Sequence, residues 1–151
     1  MLRYRSRAGS LEVLVTLVAA GLVLASCGGE EKTEVPVTVQ EFAVVPDTET
    51  ASAGSVTYSV HNEGPDDTHE FVVIKTDLDP VDLPTDENGV VEEEGEGMEV
   101  IDEIEDIPVG ETQSVTVDLE AGSYVLICNI WDEEEQEAHY SEGMRTGFTV
   151  E

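Results

Sequence analysis

The chain has 151 residues and a formal charge of −29, with 35 acidic residues set against six lysines and arginines. That length supports one domain with a modest core, and the charge excludes the basic patches through which proteins bind nucleic acid or anionic membrane surfaces. Such acidity keeps a protein soluble and suits either a saline habitat or a basic partner, and composition does not choose between them.

In chain order, the first element is a leader. Arg3, Arg5 and Arg7 precede an uncharged, mostly apolar run from Val13 to Ala25, and small residues and Cys27 follow. This is the layout of a secretory signal. Thirteen residues fall short of the roughly 20 that a spanning helix needs. Leu24-Ala25-Ser26-Cys27 resembles a bacterial lipoprotein lipobox, which implies removal of residues 1–26 and a lipid on Cys27. An ordinary signal peptide cut nearby and an uncleaved anchor are the alternatives. The expectation is an exported protein, lipid-anchored on the outer face of the cytoplasmic membrane or lying in the periplasm. It would touch the membrane through that lipid only.

Residues 27–34 read as a polar tether and residues 35–151 as one domain. VPVTVQEFAV alternates Val35, Val37 and Val39 with polar positions, and SVTYSV repeats the scheme with Val56, Tyr58 and Val60. HEFVVIK, TQSVTVDL, SYVLICNI and RTGFTVE follow, separated by Gly, Pro and Asn turn signals. Period-two runs with frequent turns predict an all-β sandwich or barrel. Residues 76–106 break the pattern with fourteen acidic residues and no basic one. Asp77, Asp79 and Asp82 lack the spacing of a calcium loop. The acidic insertion reads as a solvated face or a mobile loop, tethered at its end by Val100, Ile101, Ile104 and Ile107, with room for a helical turn.

The two cysteines frame the functional question. If Cys27 carries lipid, Cys128 has no disulfide partner, and an unpaired thiol outside the cytoplasm suggests a reactive or metal-bound sulfur. A buried, inert cysteine is the plain alternative. Its neighbourhood, CNIWDEEEQEAHYSEGM, adds His139 and Met144. Thiolate, imidazole and thioether are soft or borderline donors suited to copper, and two histidines, a cysteine and a weak axial methionine form a blue-copper set. The second histidine is His61 or His69. Strand parity turns His61 away from the apolar face shared by Val56, Tyr58 and Val60, whereas His69 opens a strand beside a turn, at one end of the sandwich. His69 is the preferred donor.

These stretches, "HNEGPDDTHEFVVI" and "GSYVLICNI…HYSEGMRTGFTV", resemble the cupredoxins, the small blue-copper proteins. The resemblance spans residues 35 to 151. It implies a Greek-key β-sandwich, here with the acidic loop insertion, and one type 1 copper held by His69, Cys128, His139 and axial Met144. It also implies electron transfer to a redox partner protein rather than enzymatic turnover, with Cys128 as the covalent path and His139 nearer the surface as the electron's exit. Asn62, close to the first ligand, is a candidate to fix the ligand loop by hydrogen bonding. One departure stands out: ten residues separate Cys128 from His139, where cupredoxins have only a few.

Trp131 could dock this longer loop and screen the metal, or face a partner. The acidic run DEEEQE could lower the reduction potential, steer a basic partner or supply a ligand from Glu133, Glu134, Glu135 or Glu137. Three rivals use the same residues differently. They are a copper carrier or storage protein, a hydrolase with Cys128 as nucleophile and His139 as base, and a metal-free β-sandwich binding module.

Overall fold

The computed structural model describes residues 32–151; the expected leader and Cys27 lie outside the described residues. Eleven strands and one short helix follow in order: β1 (Thr33–Gln40), β2 (Ala43–Pro46), β3 (Thr50–Ala51), β4 (Gly54–Gly64), β5 (His69–Thr76), β6 (Met98–Ile107), β7 (Thr112–Leu119), β8 (Gly122–Ile127), β9 (Trp131–Asp132), β10 (Glu137–Ala138), α1 (His139–Glu142) and β11 (Arg145–Val150). All six runs read as strands from their periodicity form strands. Two sheets result, ordered β2-β1-β4-β7 and β3-β11-β8-β5-β6, with β9 and β10 a separate hairpin. Pairing is antiparallel except for β1 with β4 and β3 with β11.

Alternation explains the packing. Successive side chains on a strand point to opposite faces, so Val35, Val37 and Val39 of β1 and Val56, Tyr58 and Val60 of β4 all enter the core. They meet Phe71, Val73, Tyr124, Leu126 and Phe148 from the second sheet. The Tyr58 ring lies 5.2 Å from that of Phe71 and 5.6 Å from that of Phe148, spacings at which tilted aromatic pairs attract.

Of the two readings of the acidic run, a mobile loop and a solvated face, its C-terminal part takes the second. Met98–Ile107 is strand β6, paired along β5 at the edge of the second sheet. Its acidic side chains (Glu99, Asp102, Glu103, Glu105 and Asp106) are exposed; charge on an edge strand blocks pairing with another molecule. The charge run is therefore the wet face of a strand. Residues 77–97 cover the outside of the same sheet. Leu83 and Val91 are buried there against Val72, Ile74, Val125, Ile127 and Tyr140, a second small core. This is why β5 is apolar on both faces.

Of the three register shifts, one lies within β5/β6 between Val73 and Ile74, and the other two lie at the His69 end. The β1/β4 register shifts between Val39 and Gln40, and the β5/β6 register shifts between His69 and Phe71; such bulges re-aim side chains near functional sites. Asn62 sits here, on the inward row of β4 beyond Val60. Its Nδ2 donates to the carbonyls of Asp67 and Ile107, both at 2.8 Å, and its Oδ1 accepts from the Gly64 N–H at 2.7 Å. One carboxamide thus joins β4, the end of β6 and the loop that precedes His69.

Two substitutions on β4 are expected to act in opposite ways. The buried Tyr58 hydroxyl has no hydrogen-bond partner, so Tyr58→Phe should leave stability unchanged or raise it by about 1 kcal/mol. Asn62→Ala removes three hydrogen bonds and should cost about 3 kcal/mol at roughly 1 kcal/mol each. Urea unfolding of the metal-free protein measures both. A destabilised Tyr58→Phe protein, or an Asn62→Ala protein as stable as the wild type, would contradict this packing.

Candidate metal centre

The bulged end of the sandwich brings together four side chains from distant parts of the chain. His69 is the first residue of β5, Cys128 follows β8, His139 opens α1, and Met144 precedes β11. Relative exposure is 0% for His69, Cys128 and Met144 and 1% for His139. The antiparallel pairing of β8 with β11 places Arg145 opposite Ile127, and the Cys128 N–H donates to the Met144 carbonyl at 3.1 Å. Gly143 makes the sharp turn between α1 and Met144. Its φ is +134°, and a Cβ there would lie 3.1 Å from the Phe42 carbonyl. Only glycine adopts this conformation without strain.

Three donor atoms converge. His69 Nδ1 and His139 Nδ1 are 3.2 Å apart, and Cys128 Sγ lies 3.4 Å from the second and 3.9 Å from the first. The Glu70 N–H donates to Sγ at 3.3 Å. Burial pushes the Cys128 thiol up to about 12, despite the backbone donors beside it. Burial, and after it the neighbouring His139, lowers His69 to about 4, while Glu41 pulls weakly the other way. Burial also lowers His139, against the pull of Asp67, Asp132 and Glu41. The groups are therefore two neutral imidazoles and a thiol, and neutral imidazole is the form that binds metal.

Chemistry favours a shared cation among them. Two imidazole nitrogens facing each other at 3.2 Å hold at most one proton between them, and the thiol supplies one weak donor. A metal ion would meet all three lone pairs at once. Two imidazoles, a thiolate and a nearby thioether in an apolar shell fit copper better than a hard cation. The same burial weighs against a hydrolase, because a nucleophilic cysteine needs a depressed pKa and an accessible sulfur.

His139, expected nearer the surface, is 1% exposed. The ten residues after Cys128 include the β9–β10 hairpin, whose last residue, Ala138, is buried, as is His139 after it. Phe42 meets the His139 ring edge-on at 5.4 Å. Asp67 and Asp132 have ligand atoms grouped within 4.8 Å with one of the His139 nitrogens. Glu133, Glu134 and Glu135 are exposed and outside any such group among the described residues, and Trp131 is half-buried in β9. His61 lies apart on β4, its Nδ1 3.0 Å from the Thr112 hydroxyl. Asp77, Asp79 and Asp82 form no metal cluster among the described residues.

Sequence reading missed Glu41, Asp67 and Asn129. Glu41 accepts from the Asp66 and Asp67 N–H groups, and Asn129 bonds both backbone groups of Val91 at 2.7 and 3.0 Å. None belongs to a local motif; only the topology brings them in.

No family model and no curated protein matches the chain. Its structure is similar to that of reduced auracyanin from the photosynthetic bacterium Roseiflexus castenholzii, at 20% identity over 82% of this chain and 99% of that one, with a TM-score of 0.53. It is also similar to auracyanin A, a "blue" copper protein from the green thermophilic photosynthetic bacterium Chloroflexus aurantiacus, at 20% identity over 80% of this chain and 99% of that one (TM-score 0.52). The copper protein rusticyanin is a third, at 16% identity over 82% of this chain and 80% of that one (TM-score 0.56). Identity this low speaks for the fold alone: the chain has the cupredoxin β-sandwich fold.

Proposed function

We propose that this protein binds one copper ion, which His69, Cys128, His139 and Met144 would hold, and carries electrons between partner proteins outside the cytoplasm. The observation that carries the reading is the convergence of His69 Nδ1, His139 Nδ1 and Cys128 Sγ within 3.9 Å in a fully buried pocket. The likeness to auracyanin A and rusticyanin, both described as copper proteins, supports it.

Bound copper would supply a one-electron Cu(I)/Cu(II) couple. The residues supply everything else. The Cys128 thiolate offers a covalent path from the site into β8, and the Glu70 N–H holds its sulfur in place. Ligands rooted in a strand end, a strand exit and a braced helix keep their positions whichever charge the metal carries. Phe42, Ile130 and the core side chains around Cys128 and Met144 exclude water.

The charge bears on the partner. Lys75 is paired with Glu120 at 2.7 Å, and Arg145 donates to the Tyr140 carbonyl. The acidic surface is thus almost uncompensated, and it would steer a basic redox partner by long-range attraction. Among the described residues no helix is long and apolar enough to cross a membrane. Attachment through a lipid on Cys27 is the reading that the leader supports.

The test is spectroscopic. Addition of Cu(II) should give one copper per chain, intense thiolate-to-copper absorption and a small hyperfine splitting in electron paramagnetic resonance, with reversible redox cycling and no loss of copper. Cys128→Ser should be colourless. A blue Cys128→Ser protein would refute the ligand assignment. Release of copper on each reduction would point to metal carriage in place of electron transfer.

A further inference from the structure

Glu41 reaches the candidate centre from the turn between β1 and β2, opposite the face of His69 that meets Cys128. Its Oε1 accepts from the backbone N–H of Asp67 at 2.6 Å and of Asp66 at 3.1 Å, and lies 3.7 Å from His69 Nε2. Three buried atoms around the centre have no hydrogen-bond partner: Glu41 Oε2, His139 Nε2 and His69 Nε2 itself. The only other ion pair among the described residues is Lys75–Glu120. No Lys or Arg therefore competes for this carboxylate.

The orientation of His69 decides what Nε2 must do. Nδ1 points at His139 Nδ1 and Cys128 Sγ. An Nδ1 that offers its lone pair to a metal leaves the ring proton on Nε2. A buried N–H without an acceptor costs about 1–3 kcal/mol, and the facing acceptor is Glu41. The 3.7 Å gap is about 0.5 Å beyond the longest good N–H···O distance, a shift that one side-chain adjustment closes.

We propose that Glu41 is a positioning residue for the centre: its carboxylate takes the Nε2–H of His69, fixes the ring with Nδ1 toward the metal, and loads negative charge onto that ligand. Metal-bound histidines regularly donate their second N–H to such a partner, and losing it changes metal affinity about 10- to 100-fold. A carboxylate is a stronger acceptor than a neutral carbonyl. It also stabilises the more positive Cu(II) over Cu(I) by direct attraction. The redox part of this inference rests on the copper reading above, whereas the choice of tautomer does not.

Glu41→Gln separates positioning from mere loop support, because the amide keeps an oxygen for the Asp66 and Asp67 N–H groups but loses the charge and exchanges its second oxygen for an NH2 donor. Two readouts decide. In metal-free wild-type protein, long-range nitrogen–proton correlation spectra of the imidazoles should show His69 as the Nε2–H tautomer. Its Nε2 proton should be shifted downfield and move upfield in Glu41→Gln. In copper-loaded protein, Glu41→Gln should weaken Cu(II) binding relative to Cu(I) about tenfold, a rise in reduction potential of about 59 mV for a one-electron couple. Glu41→Asp, which retains the charge, should lie nearer the wild type. An Nδ1–H tautomer of His69 in the metal-free wild type would overturn the proposal, as would a potential that Glu41→Gln leaves unmoved. A protein that binds no copper would refute the proposed function, and the imidazole spectra would still decide the role of Glu41.

Discussion

Two imidazole nitrogens and a thiol sulfur, all buried, face one another across less than 4 Å at one end of this sandwich. Polar groups removed from water are costly unless they find partners, and these three cannot fully satisfy one another with the protons they carry. A cation removes the conflict. Much of the surrounding structure makes sense as the framework that keeps the three atoms pointed inward. The two bulges displace the ends of β1 and β5, Asn62 ties β4 to β6 and to the loop before His69, and Gly143 turns the chain between His139 and Met144.

The ten residues between Cys128 and His139 raise the question of rigidity. Lengthening a loop costs only about 0.6 kcal/mol per doubling, so closure is a minor matter beside orientation. Orientation comes from the segment of residues 77–97. Asn129 pairs with Val91, the Tyr140 hydroxyl donates to the Pro80 carbonyl at 2.8 Å and accepts from the Leu83 N–H at 3.2 Å, and the Ser141 hydroxyl donates to the Gly89 carbonyl at 2.8 Å. Five hydrogen bonds at roughly 1 kcal/mol each, with the small core around Leu83 and Val91, outweigh the closure cost. The acidic insertion and the long loop are one device: each is braced by the other.

Much of this was legible in the sequence, and for a physical reason. Strand alternation writes burial directly into the order of residues, so Val35, Val37, Val39, Val56, Tyr58 and Val60 announce their faces. The donors could be named because Cys128, His139 and Met144 lie close together and parity favours His69 over His61. Charge was less decisive. A run such as MEVIDEIEDI reads equally as a mobile loop or a solvated face, and it is the wet face of an edge strand whose buried residues are few. The burial of His139 after the short β9–β10 pairing could not be read either, because a two-residue pairing carries no periodicity. Glu41 and Asn129 act across gaps of 28 and 38 residues, to His69 and Val91. Contacts of that kind leave no local signal.

The site's acidity and burial bear on function together. Carboxylates at Glu41, Asp67 and Asp132 stand near two neutral imidazoles, an environment that favours the more oxidised metal. His139 is buried, with an exposure of 1%. Both features set this centre apart from one whose histidine meets solvent. The central claim is the ligand set, and copper K-edge X-ray absorption of the oxidised, copper-loaded protein tests it most directly. The account predicts a first shell of two nitrogens and one short-bonded sulfur. A shell of nitrogen and oxygen without sulfur would contradict it.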